Sequence, residues 1–210
     1  MKHLHDISPL IDGDLAVWPG DTPFSFQDQL RLEEGAPVHL STLTLSCHTG
    51  AHADAPGHYA EGAPGIDAVP LEPYLGPCRL IDVRPEGHAI RPGDLEGCEV
   101  DAPRVLFRTR DGGDRTEFPD PFTSLAPEAV DWLAARGVIL VGLDTPSVDR
   151  VDSKDLPSHK ALFRHGIANL ECLELGGVPE GRYELIALPL RLAGRDASPV
   201  RAVLRELDNG

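Results

Sequence analysis

The 210-residue chain is short of positive charge. Nineteen Lys and Arg stand against thirty-four Asp and Glu, for a formal net charge of −15. Binding nucleic acid takes cationic surface to neutralise phosphates, so this balance argues against nucleic acid as a partner. It argues against anionic membrane surfaces for the same reason. The sequence also lacks any run of roughly 18 apolar residues, so no membrane-spanning helix is expected. Paired cysteine motifs are missing too. Cys47, Cys78, Cys98 and Cys172 lie too far apart for a CxxC site and read as reduced, buried thiols rather than disulfide staples. The N-terminal MKHLHDISPLIDGDL has no continuous apolar segment and no small-residue cleavage site, which makes the cytoplasm the expected compartment.

What is present fits an ordinary globular domain. The hydrophobic share is 41% and the charged share 25%, as in folded single domains, and the length favours one domain over residues 1–210. Gly and Pro are dispersed, which suggests many short elements joined by turns. Residues Val38 to His48 alternate, with Leu43, Leu45 and Cys47 on one face and Thr44, Ser46 and His48 on the other; period two predicts a strand. Further strands are expected at Leu80–Val83, Val105–Thr109, Val138–Leu143, Leu185–Leu192 and Val200–Leu207. One helix opens at Pro127 and Glu128 and stops at Gly137, following the preferences of helix ends. A second, over Ser158–His165, takes Ser158 as its cap. Many strands and few helices predict an α/β domain with a mixed sheet.

Chemistry concentrates in CHTGAHADAPGHY, where His48, His52, Asp54 and His58 fall within eleven residues. Imidazole and carboxylate are the usual ligands of zinc and similar divalent ions. Gly50 and Pro56 make a helix improbable here, so His52 and Asp54 are expected to swing back toward His48 through a tight loop. The Ala spacers leave room for close approach. Cys47 reads as a buried small residue rather than a further ligand. His58, beyond Pro56, is near the ligands without clearly being one. It fits a proton acceptor and donor, with a fifth ligand or an orienting residue as the alternatives. Trp18, before Pro19 and Gly20, is either a satellite core contact or a surface for an aromatic ligand. Asp149, Asp152 and Asp155 read as a solvated acidic loop, lacking the Gly and terminal Glu of a calcium loop. Cys172, if extended, points away from Glu171.

The segment HTGAHADAPGHY resembles the H-x-G-[TA]-H-x-D-x-P-x-H signature of the cyclase family of metal-dependent amide hydrolases. DISPLIDGDLAVWPGDTPF and GVILVGLDTPSVDRVDSKDLPSHKALFRHGIANLECLEL extend the resemblance over nearly the whole chain, toward the family's formamidase branch. The resemblance implies a swivelling β/β/α-type fold with a central mixed sheet, and a homodimer. It implies two metal ions per subunit, usually zinc, with manganese as the other candidate. His48, His52 and Asp54 match the ligands of the first, with Asp54 bridging, and His159 and Glu171 match those of the second. His58 matches the catalytic acid/base and Trp18 a substrate contact.

The implied activity is hydrolysis of N-formyl-L-kynurenine to L-kynurenine and formate in tryptophan breakdown. The chemistry agrees. Two cations roughly 3.5–4 Å apart make a hydroxide available near neutral pH for attack on the formyl carbon, and the departing aryl amine needs a proton that His58 can give. The nearest alternative is a hydrolase of the same family that opens a cyclic amide such as isatin, with manganese. A zinc-binding protein without catalysis is the second, and an interaction module that binds no metal is the third.

Overall fold

The computed structural model describes residues 2–207. Its thirteen strands are β1 (Leu4–Asp6), β2 (Ser25–Leu30), β3 (Leu40–Thr44), β4 (His52–Asp54), β5 (Leu75–Asp82), β6 (Ala89–Ile90), β7 (Arg104–Arg108), β8 (Ser124–Leu125), β9 (Leu140–Leu143), β10 (Ala168–Glu171), β11 (Gly181–Ile186), β12 (Ala197–Pro199) and β13 (Val203–Glu206). Nine of them form one curled mixed sheet in the order β1-β13-β11-β5-β7-β9-β10-β4-β12. The centre, β5-β7-β9-β10, is parallel. Antiparallel strands flank it on both sides. The domain is α/β, as expected, with helices α1 (Pro127–Ala134) and α2 (Pro157–His165).

The central strands are apolar on both faces because both faces are covered. Leu80 and Leu106 pack on one side with Tyr74, Leu170 and Leu204. Ile81, Val105, Phe107, Val141 and Leu143 alternate to the other side, under Val130 and Leu133 of α1 and Leu162 of α2. Gly142 of β9 is needed for close approach: a Cβ there would lie 2.5 Å from Leu106 Cδ2 and 2.9 Å from Leu173 Cδ1.

Two strand expectations need correction. The Val38–His48 alternation does not run to His48. The strand stops at Thr44 and a turn carries Cys47 to Gly50. Nor does its apolar face enter the core. β2 and β3 form a separate two-stranded sheet, and Leu43 is 57% exposed. The alternation reports an apolar face without saying what covers it. The strand expected at Leu185–Leu192 leaves the sheet after Ile186, since Pro189 has no N–H to give the ladder and Leu188 and Leu190 are exposed. A third correction concerns α2. Ser158 is not its cap; its hydroxyl donates to the Leu125 carbonyl, and the free N–H groups of the first turn are met by Asp149 instead.

Candidate active site

Two neighbouring strands and one helix end build the site. Gly50, at φ +66°, turns the chain into β4, which lies between β10 and β12. Strand alternation then puts His52 and Asp54 on one face, with Ala53 in the core on the other. The same parity in β10 presents Asn169 and Glu171, with Leu170 in the core. The register pairs Glu171 with His52. Four buried polar side chains therefore converge on one patch. His48 reaches it from the preceding turn, with Nδ1 3.1 Å from Asp54 Oδ1.

His159 arrives from the first turn of α2. The Asp149 carboxylate accepts the backbone N–H groups of Ser158 and His159, each at 3.0 Å. It also accepts a hydrogen bond from His159 Nδ1 at 2.7 Å. This capping acid satisfies donors that a helix start leaves free and fixes the imidazole tautomer. His159 Nε2 is thereby presented to Asp54 Oδ2 at 3.4 Å and Glu171 Oε1 at 3.5 Å. His52 is oriented alike: its Nδ1 donates to the Gly50 carbonyl at 2.9 Å, and its Nε2 stands 3.5 Å from Asp54 and 3.4 Å from Glu171.

The donor set fits divalent cations. His52 Nε2, His159 Nε2 and Asp54 Oδ1 are buried yet make no hydrogen bond, although buried polar atoms are normally satisfied. All three point into the same small space between two carboxylates. His52, Asp54 and Glu171 offer ligand atoms within 4.8 Å of one another, as do His48, Asp54 and His58. Without cations the carboxylates draw protons onto the rings. Burial alone would lower the pKa of His159, but the carboxylates of Asp149, Asp54 and Glu171 around the ring push it up to about 12. His52 is raised against its burial by Cys172, Glu171 and the Asp54 charge. Asp54 is held well below the usual carboxylate range despite burial, by His159, His48 and His52. Cation binding must therefore displace protons. Asp149→Ala is expected to weaken metal affinity about 10–100-fold, the usual loss when an orienting partner is removed, measured by competition with a chromophoric chelator; unchanged affinity would deny Asp149 that role.

The patch forms part of the wall of a cavity of about 420 Å³. Trp18 lines it, 37% exposed, edge-on to Phe118 at 5.3 Å and to Phe122 at 6.3 Å between ring centroids. It is a wall of the cavity rather than a core contact. The loop carrying Phe118 is tied to the N-terminal segment by a bidentate Arg115–Asp12 pair at 2.6 and 2.7 Å. The Ala16 N–H also donates to the Arg115 carbonyl there. His58 ends a short turn over Pro56–His58 and lines the same cavity. Its ring centre is 4.4 Å from that of His48, and its Nδ1 is 3.7 Å from Asp196. Burial lowers its pKa, with the nearby charge of Asp54 acting in opposition.

The structure thus brings His48, His52, Asp54, His159 and Glu171 together and places His58 and Trp18 on the same cavity. Two expectations fail. Asp149 is no part of a solvated loop; it is buried and grips His159. Cys172 does not point away from Glu171, because its φ of +56° breaks strand alternation and turns the thiol into the cavity beside His52. Sequence reasoning missed Asn169, whose amide donates to Asp54 Oδ2 at 2.8 Å and Glu171 Oε1 at 3.2 Å, and Asp196, 3.0 Å from His48 Nε2. Asn169 was within reach: i and i+2 on a strand share a face.

Comparison with known proteins bears on the family of the chain. The Cyclase family profile matches residues 5–150. A kynurenine formamidase of Bordetella pertussis is 52% identical over 208 residues, 99% of this chain and 100% of that one. One from Polaromonas naphthalenivorans is 51% identical over 203 residues, 96% of this chain and 90% of the relative. A solved structure from Bacillus stearothermophilus, described as a predicted metal-dependent hydrolase, superposes with a TM-score of 0.84 at 30% identity, covering 99% of this chain and all of that one. Isatin hydrolase A of Ralstonia solanacearum shares the fold, with a TM-score of 0.83 at 22% identity over 98% and 92% of the two chains. With a profile match over most of its length and half its residues shared end to end with curated relatives, the chain belongs to the Cyclase family.

Proposed function

We propose that this chain is a metal-dependent arylformamidase that hydrolyses N-formyl-L-kynurenine to L-kynurenine and formate in tryptophan breakdown. The observation that carries the reading is the 52% identity to a kynurenine formamidase along 99% of the chain. The convergence of three imidazoles and two carboxylates on an aromatic-walled cavity supports it. His48, His52 and Asp54 would hold one cation and His159 and Glu171 a second, Asp54 serving both; zinc is the proposed ion and manganese the alternative. Bound there, such cations polarise a formyl oxygen and make water nucleophilic near neutral pH.

The chain's own residues supply the rest. Trp18 and Phe118 offer aromatic faces and edges to the aryl ring of the substrate. Asn169 and Asp149 hold the ligand side chains in place. His58 takes a proton at Nε2 as water attacks and returns it to the aryl nitrogen as the C–N bond breaks. The unit proposed to do this is the whole chain, 1–210, working in the cytoplasm. The test is an assay of purified, metal-loaded protein on N-formyl-L-kynurenine and isatin in parallel. Formate release without ring opening is expected. Ring opening without formate would shift the assignment to the cyclic amide.

A homodimer is part of the proposal. The β2–β3 hairpin and its loop expose Phe26, Leu30, Leu32, Val38, Leu40 and Leu43. A two-stranded hairpin alone is marginal in water, and contiguous apolar exposure marks interfaces. A second copy brings the same patch, as a two-fold contact requires. The double change Phe26→Asp with Leu43→Asp is expected to halve the mass measured by light scattering. A dimer that survives it would place the contact elsewhere.

A further inference from the structure

One cation on the cavity wall makes no ion pair among the described residues. Arg110 lines the cavity, and among the described residues no carboxylate lies within ion-pair distance of its guanidinium. The other guanidinium on the wall, Arg115, is committed to Asp12. Nearby acids are committed too. Asp111 pairs with Arg84 at 2.5 Å, and Asp114 accepts from the N–H and hydroxyl of Thr116 at 2.8 and 2.7 Å. In a chain of net charge −15, an unpaired arginine beside a reaction cavity is an exception that calls for a ligand.

Its position is built rather than incidental. Arg110 follows β7 by two residues. There the buried Asp144 accepts the Thr109 N–H at 2.9 Å, the Thr109 hydroxyl at 2.7 Å and the Arg110 N–H at 3.1 Å. Asp144 is thus occupied by Thr109 and the Arg110 N–H and holds the strand end that carries Arg110; the Arg110 charge acts on it from a distance, without a direct ion pair. The guanidinium lies against Gly113, where a Cβ would come 2.8 Å from Arg110 Nη1. The Gly112–Gly113 turn, with Gly112 at φ +111°, leaves the space that the side chain occupies.

We propose that Arg110 is the specificity residue of this cavity, binding the carboxylate on the amino-acid arm of an aromatic formamide. The inference rests on the formamidase reading above and deepens it. A guanidinium presents a planar fork of donors that matches a carboxylate, often through two parallel hydrogen bonds. Without it, the carboxylate of this zwitterionic arm would face Asp21, Glu117 and Glu174, acids that suit its ammonium group and repel its carboxylate. The arm takes no part in bond breaking, so its carboxylate is bound equally in ground and transition states. Such binding lowers KM and leaves kcat alone.

The test uses full-length, metal-loaded protein and two substrates: N-formyl-L-kynurenine, and 2-formamidoacetophenone, which keeps the aryl ketone and formamide but lacks the amino-acid arm. Arg110→Gln is expected to lower kcat/KM for the first about 10–150-fold, the loss of a charged hydrogen bond, almost wholly through KM. The second substrate should change less than about twofold. Arg110→Lys, which keeps the charge and loses the fork, should fall between. An equal loss on both substrates would assign Arg110 a structural role and overturn the proposal, as would no loss on either. If the unaltered protein releases formate from the acetophenone but not from N-formyl-L-kynurenine, carboxylate recognition fails while formamide hydrolysis stands. If it releases formate from neither, the formamidase reading falls and this inference with it.

Discussion

Asp54→Asn is expected to empty the site and silence the protein. The side chain keeps its shape and loses its charge, so steric disruption is minimal. What disappears is the one carboxylate among the described residues that lies within 3.5 Å of all three of His48, His52 and His159. Under the proposed two-cation reading an amide cannot stand in for Asp54, because its nitrogen donates where a cation needs an acceptor. Elemental analysis should show metal falling from two equivalents per chain to one or none. Formate release should fall on the order of 10³-fold or more, since Lewis-acid stabilisation contributes several kcal/mol and each ~1.4 kcal/mol is tenfold. The metal-free protein carries a second consequence. There Asp54 offsets imidazolium charge in a buried cluster, and removing one partner of a buried ion pair costs about 3–5 kcal/mol. The sign follows from the depressed pKa of Asp54. Its stabilisation is present above the ordinary carboxylate value and is lost as pH falls through the lowered one. Metal-free Asp54→Asn should therefore melt below metal-free unaltered protein at neutral pH, and the gap should close in acid. Two metals and normal turnover in the variant would remove Asp54 from the site.

The candidate ligand cluster is legible in the sequence where its members are close together and of one chemical kind. His48, His52 and Asp54 sit within seven residues, and Gly50 between them announced the turn that the structure contains. His159 and Glu171 carried no such local signal. A histidine in a helix and a glutamate in a strand are ordinary until the sheet register sets Glu171 opposite His52 and α2 points His159 at both. Only the resemblance to a family singled them out. Long-range register depends on which strands become neighbours, and β4 inserts between β10 and β12 although all three are distant in sequence. Short-range periodicity holds no trace of that insertion.

The failures have equally local causes. Asp149 lies among Arg150, Asp152 and Asp155, and the two later acids face solvent, so composition pointed outward. The N-terminus of a helix lacking a side-chain cap of its own drew Asp149 inward. Cys172 broke the strand rule through a left-handed backbone in a residue that seldom adopts one, a strain that concentrates at functional sites. For β3 the periodicity was read correctly and its meaning was not. Alternation identifies an apolar face, and here that face is not buried within the chain.

His58→Ala is the variant that separates chemistry from metal binding. His58, His48 and Asp54 offer ligand atoms within 4.8 Å of one another, so distance alone permits His58 to be a ligand. Yet His58 lacks the fixed orientation of the others. Its Nδ1 is 3.7 Å from the half-exposed Asp196, whereas His52 and His159 are held by short hydrogen bonds that aim Nε2 at the carboxylates. A residue that must accept and then return a proton benefits from that freedom. Metal content is therefore expected to stay at the unaltered level while kcat falls about 10²–10⁴-fold, the usual contribution of a positioned acid/base. The pH profile gives a second readout. Burial lowers the pKa of His58, so the neutral, proton-accepting form persists below the ordinary histidine value of about 6.5. Cations held by His48 and Asp54 would push it lower still, since positive charge disfavours a second one nearby. Activity should be fully present above that lowered value and lost as pH falls through it, giving an acid limb below that of a solvent-exposed histidine. In His58→Ala this limb should vanish from the residual rate. Should the variant lose metal along with turnover, His58 is a ligand and the proton must be carried by another group. Should it keep both the limb and the rate, His58 has no part in the reaction, and Nδ1 or Nε2 of another cavity histidine must supply the proton to the leaving amine.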